Sequence, residues 1–112
     1  MKSFLILFVF IFLAHTAYGQ TFSKTPNFKE LNEKIIIPKC LMCHNDDYAA
    51  RQVYLVTYED VKSFTVAGKP EASLLLEVVG PGAQPRMPMK APPLNTEEMA
   101  YIRAWITGNT PE

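Results

Sequence analysis

Apolar residues recur at helical spacing at both ends of the region that follows the first two dozen residues. Phe28, Leu31 and Ile35 stand at i, i+3 and i+7, which predicts a helix from about Asn27 to Ile37 with one apolar face. Asn27 is a good N-cap, and Glu30, three residues on, is placed to complete a capping box. Pro38 lacks an amide hydrogen and crowds the preceding turn, so it is expected to end that helix, with residues 20–26 a flexible lead-in. Thr57 is expected to cap a short second helix that turns Val61 and Phe64 inward. Gly68 allows a turn, Pro70 suits a first helical position, and a Leu- and Val-rich third helix is expected from Ala72 to Val79, stopped by Gly80-Pro81.

The last helix is the best defined. Asn95 caps it, Glu98 closes the box, and Leu94 with Met99 can form a hydrophobic staple. Met99, Ile102 and Ile106 make the inner stripe, Trp105 flanks it, and Gly108 ends it. That stripe reads as core packing rather than a binding surface. No alternating stretch is long enough for a trusted strand and no segment repeats, so the expected class is all-α, with three to five short helices.

The N-terminus follows different rules. Lys2 gives a positive start, the 11 residues Phe4 to Ala14 are unbroken apolar, and Ala17-Tyr18-Gly19 is a small-x-small cleavage pattern before Gln20. The run is too short for a hydrocarbon core, which takes about 20 residues. Residues 1–19 therefore read as a secretory signal, with no stable membrane insertion after its removal; the competing reading is an uncleaved membrane anchor. No cysteine at the cleavage site suggests a lipid anchor. Removing residues 1–19 from 112 leaves 93, a single small domain over residues 20–112. Only the Lys2 charge is lost, which leaves 10 basic against 11 acidic residues, near neutrality and without a basic cluster. That balance argues against nucleic-acid binding. The expected mature form is a monomer.

The chemistry is concentrated in Cys40-Leu41-Met42-Cys43-His44. This C-x-x-C-H run is the attachment signal of a covalent c-type haem. On a helical turn, residues at i and i+3 face one side, so both sulfurs can add across two vinyl groups on one porphyrin edge. His44 then falls beneath the ring, where its imidazole can take the proximal position on iron. Three other readings compete: a short-range disulfide, a thioredoxin-like dithiol and half of a zinc site. Zinc lacks donors here, because the chain has only two cysteines and its other histidine, His15, lies in the signal. The dithiol would need a βαβ context, of which the sequence around Cys40 shows none. In bacteria c-type haem is joined outside the cytoplasmic membrane, so export and the motif agree, and a periplasm is the simplest location.

Between the third and last helices, Gly80 to Pro93 carries five of the nine prolines: Pro81, Pro85, Pro88, Pro92 and Pro93. Prolines stiffen such a loop, and a small domain seldom keeps so long an irregular segment without a functional reason. With His44 the only histidine after cleavage, the second axial donor to iron must be softer. Met42 sits inside the motif and Met99 is committed to the last helix, which leaves Met87 and Met89. A His/Met pair favours reduced iron and leaves no open position for a substrate, which points to electron transfer rather than catalysis.

The order of these features resembles the class I cytochromes c, and more closely their short planctomycete-type monohaem domain. The resemblance covers nearly all of residues 28–109. It rests on Cys40-x-x-Cys43-His44, Gly68-x-Pro70-x-x-Ser73-Leu74-Leu75, Met87-Pro88, Pro93-Leu94-Asn95-x-Glu97-Glu98 and Trp105-Ile106-x-Gly108. It implies a small cytochrome c fold around one covalently bound haem c, with His44 proximal and a methionine distal. Met87, seven residues before Leu94, matches the Met-Pro…Pro-Leu spacing of the family. Met89-Lys90-Ala91 departs from it, since related sequences tend to carry Pro and Gly there. The expected role is an exported, non-enzymatic single-electron carrier that serves redox partner proteins. The rivals are a thiol–disulfide oxidoreductase using Cys40 and Cys43 and a haem-based sensor of small ligands.

Overall fold

Asn27 starts the first helix as its spacing predicts: its side chain accepts the Glu30 amide at 2.9 Å. The computed structural model describes residues 21–112, so the expected signal segment and His15 lie outside the described residues. Glu30 does not close a capping box. Its carboxylate turns to Ser23, accepting from the amide at 3.1 Å and from the hydroxyl at 2.8 Å. The Asn27 amide is satisfied instead by the Tyr101 hydroxyl at 3.0 Å. Phe22 stacks on Tyr101 with ring centroids 4.6 Å apart, and the Lys34 ammonium donates to the Thr21 carbonyl. The lead-in is therefore pinned to the domain rather than loose.

Helix α1 continues past Pro38. It runs as an α-turn Phe28–Leu31, a π-helical stretch Asn32–Ile36 and a further α-turn Ile37–Lys39. In the π stretch the Ile37 amide pairs with the Asn32 carbonyl, five residues back, so the ladder has slipped by one residue just before the proline. The wider turn eases the clash that a proline ring makes with the carbonyl four residues earlier. Regular pairing resumes with the Cys40 amide on the Ile36 carbonyl at 2.9 Å. Pro38 is thus absorbed, and the helix delivers its last turn directly into Cys40.

Helix α2 (Tyr58–Lys62) has the full Thr57/Asp60 capping box. Pro70 opens a 3-10 turn, Pro70–Ala72, and not the third helix itself; α3 spans Leu74–Val79. The break falls at Ser73, whose buried hydroxyl accepts from the Val66 amide and donates to the Lys69 carbonyl, each at 2.9 Å. Helix α4 (Thr96–Thr107) carries the predicted Asn95/Glu98 box with both bonds made. Among the described residues there is no strand, only an isolated bridge between His44 and Ala49. No helix among them is long and apolar enough to cross a membrane.

The core joins Leu31, Ile35 and Ile36 of α1 to Tyr101, Ile102, Trp105 and Ile106 of α4, with Val61, Leu75, Leu76 and Val79 closing its side. Each such side chain, fully buried, contributes about 1.5–3 kcal/mol. Trp105 is not a flanking residue but lies at the centre, fully buried, its indole N–H donating to the Pro111 carbonyl at 2.7 Å. That carbonyl also accepts the Phe28 amide at 3.1 Å, and the Tyr58 hydroxyl donates to the Thr110 carbonyl at 2.7 Å. Gly108 ends α4 with an ordinary φ of −80°, and the left-handed turn falls to Asn109 and Thr110 at φ 67° and 51°. Gly68, at φ 74°, donates its amide to the Ile106 carbonyl at 2.8 Å and passes so close that a Cβ would stand 2.9 Å from Asn109 Oδ1.

Candidate functional site

The end of α1 winds straight into the cysteine motif. The Cys43 amide reaches the Cys40 carbonyl at 3.2 Å and the His44 amide reaches the same carbonyl at 3.1 Å. The motif is thus one helical turn, which places residues 40 and 43 on a common side. Cys40 is half-buried and packs with Leu41 against the core, whereas Cys43 is exposed and Met42 is 76% exposed. Both cysteines are free thiols. Burial pushes the Cys40 thiol up to about 11; the Lys39 ammonium opposes that shift and the Glu98 carboxylate adds to it. A nucleophilic leading cysteine of a redox dithiol needs the opposite displacement.

The chain then folds back beneath His44. The Asn45 side chain accepts the amides of Asp47 at 2.9 Å and Tyr48 at 2.8 Å, and its own amide group donates to the Leu41 carbonyl at 2.6 Å. The Ala50 amide returns to the Cys43 carbonyl at 2.8 Å, and Arg51 and Gln52 follow in left-handed conformation at φ 54° and 60°. This turn brings the Val53 carbonyl to 2.9 Å from His44 Nδ1. A carbonyl can only accept, so Nδ1 carries a proton, and in the neutral ring the lone pair falls to Nε2. That is the tautomer, and the bracing by a backbone carbonyl, with which a histidine binds a metal.

Met87 belongs to the proline-rich loop between α3 and α4. Its amide donates to the Val78 carbonyl at 2.8 Å, and its side chain, half-buried, packs against the same core cluster as Cys40. The peptide bonds Gln84–Pro85 and Met87–Pro88 are cis. Met89 is 50% exposed, and Met99 packs against the core from α4. Of the two loop methionines, Met87 alone faces inward. Cys40, Cys43 and His44 therefore share one turn, and Met87 reaches the common core from a separate loop.

Among the described residues no group of three or more His, Cys, Asp or Glu side chains is placed to hold a metal ion. Two surface recesses, of about 550 and 690 Å³, lie elsewhere: one beside Phe22 and Tyr101, the other between α3 and α4, and neither is lined by Cys40, Cys43, His44 or Met87. Sequence patterns pass over three supporting residues. Asn45 could have been read from its turn-forming habit directly after the motif. Arg86 and Lys39 had no signal beyond adjacency to Met87 and Cys40. Compared with protein-family models, curated proteins and solved structures, the chain shows no match.

Proposed function

We propose that this protein is an exported monohaem c-type cytochrome that carries single electrons. Cys40 and Cys43 would hold one haem through thioethers, and His44 Nε2 and Met87 Sδ are the donors for its iron. When bound, the haem would supply a one-electron iron couple, which a neutral thioether together with an imidazole would poise toward the reduced state. The observation that carries this reading is the 2.9 Å contact of His44 Nδ1 with the Val53 carbonyl, directly after two free thiols on one helical turn. It leaves the one imidazole of the described residues ready to bind a metal through Nε2.

The remaining residues orient and enclose. Asn45 and the left-handed Arg51-Gln52 turn hold the Val53 carbonyl at His44 Nδ1, on the edge of the imidazole ring. The packing of the half-buried Cys40 and Leu41 against the core would limit water on one edge of the motif. With His44 and Met87 both donating to the iron, the group would have no place for a substrate, so the role we propose is to exchange electrons with redox partner proteins, as a monomer in the periplasm.

The test is the intact mass of protein secreted from a host with c-haem maturation machinery, measured under denaturing conditions. The expected mass is that of residues 20–112 plus one haem, with neither cysteine open to alkylation. A bare chain whose two cysteines alkylate after reduction would overturn the reading in favour of the dithiol.

A further inference from the structure

A helix leaves its last carbonyls without donors from its own ladder. In α3 those carbonyls are taken up by the segment that leads to Met87. The Glu77 carbonyl accepts the Gly80 amide at 3.2 Å, and the Val78 carbonyl accepts the Met87 amide at 2.8 Å. The Val79 carbonyl accepts from Arg86 Nε at 3.1 Å. The far end of the same guanidinium, Nη2, lies 3.8 Å from Met99 Sδ on α4. Arg86 is half-buried and, among the described residues, pairs with no carboxylate. Its charge is therefore directed at a helix C-terminus, where a cation is favourable. One planar side chain ties α3, the loop and α4 together at the residue just before the candidate ligand.

We infer that Arg86 is a positioning residue for Met87. It fixes the backbone at residue 86, so that the Met87 amide stays on Val78 and the thioether is presented in one direction. The inference rests on the assignment of Met87 as the distal ligand. A thioether is a weak, neutral donor, and an added ligand competes with it according to how often the loop opens. Loss of Arg86 raises that frequency without touching the iron or either axial residue.

The experiment titrates imidazole into the oxidised, haem-loaded protein and follows the absorption change as the thioether is displaced. Arg86→Ala is expected to bind imidazole about tenfold more tightly than the wild type, the scale of one hydrogen bond to a charged group. Arg103→Ala, which removes an exposed arginine paired with Glu71 across the recess between α3 and α4, is expected to match the wild type. An Arg86→Ala affinity equal to that of the wild type overturns the inference, as does an equal tightening in both arginine variants. The proposed function would stand in either case, provided that the wild type carries haem and loses its thioether band on Met87→Ala. If Arg86→Ala does not accumulate, Arg86→Lys carries the test: charge is kept but the planar fork is lost, and a tightening of about threefold or more supports the inference, whereas none overturns it. A wild type without covalent haem overturns the proposed function and this inference with it.

Discussion

Lys39 Nζ lies 2.8 Å from each carboxylate oxygen of Glu98, a residue 59 positions further along the chain. The Glu98 side chain is 1% exposed and that of Lys39 29%. The same carboxylate accepts the Asn95 amide at 3.1 Å, so a single group caps α4 and anchors the residue before Cys40. Through it, the turn that bears the cysteines is fixed to the start of the last helix.

Removing one partner leaves a buried charge without its counterpart. Lys39→Met is expected to lower the free energy of unfolding by about 2–4 kcal/mol, somewhat below a fully buried pair because the ammonium keeps some water. The double variant Lys39→Met, Glu98→Gln should be more stable than Lys39→Met alone, since the amide can still accept from Asn95 without an uncompensated charge. Chemical denaturation of the three proteins measures this. A Lys39→Met cost below about 0.5 kcal/mol would place the pair among ordinary surface contacts.

Met87 and Met89 separate by spectroscopy. Met87→Ala is expected to abolish the long-wavelength absorption band of the oxidised protein that reports iron–thioether ligation, and Met89→Ala to leave it intact. The half-buried position of Met87 on the core and the exposure of Met89 give the direction. Loss of the band in the Met89 variant alone would reverse the assignment, and its survival in both would refute methionine ligation.

Glu30 gives a pH dependence. The Tyr101 hydroxyl, Ser23 and Lys34 together hold its carboxyl down from 4.5 to about 2, against the opposing effect of burial. A depressed folded value means that ionised Glu30 stabilises the protein fully above about pH 4.5, and that this contribution disappears as pH falls toward 2. The stability difference between wild type and Glu30→Gln should accordingly be constant near neutrality and shrink between pH 4.5 and 2. Thermal unfolding across that range checks it, and a difference independent of pH would contradict it.

Gly68→Ala is expected to cost about 1–2 kcal/mol, because a side chain is disfavoured at positive φ and the new methyl meets Asn109. Those two penalties can be separated. Adding Asn109→Gly removes the side chain whose Oδ1 lies 2.9 Å from the added Cβ, so it should restore part of the loss and leave the conformational part. Denaturant midpoints read the difference.

The caps at Asn27, Thr57 and Asn95 were legible in the sequence because they rest on local spacing alone. The turn geometry of residues 40–44 was legible for the same reason. Pro38 was misread because a one-residue slip in the hydrogen-bond ladder depends on packing, not on any residue type. Glu30 was misassigned because Tyr101, 74 positions from Asn27, already satisfies the amide that a capping box would have used. Trp105 was expected at the margin of the α4 stripe, and the Pro111 carbonyl that draws its indole to the centre lies beyond the helix. The Val53 carbonyl under His44 could not be foreseen, since it depends on two successive left-handed residues, neither of them glycine.

The Pro111 carbonyl, which accepts both the Phe28 amide and the Trp105 indole, also imposes an order on folding. Until residue 111 docks, α1 lacks the tail that accepts its first amide, and the tryptophan against which its apolar face closes lacks its anchor. The helix that leads into the cysteine turn is therefore latched only once both ends of the domain have met, and the last few residues act as its clasp.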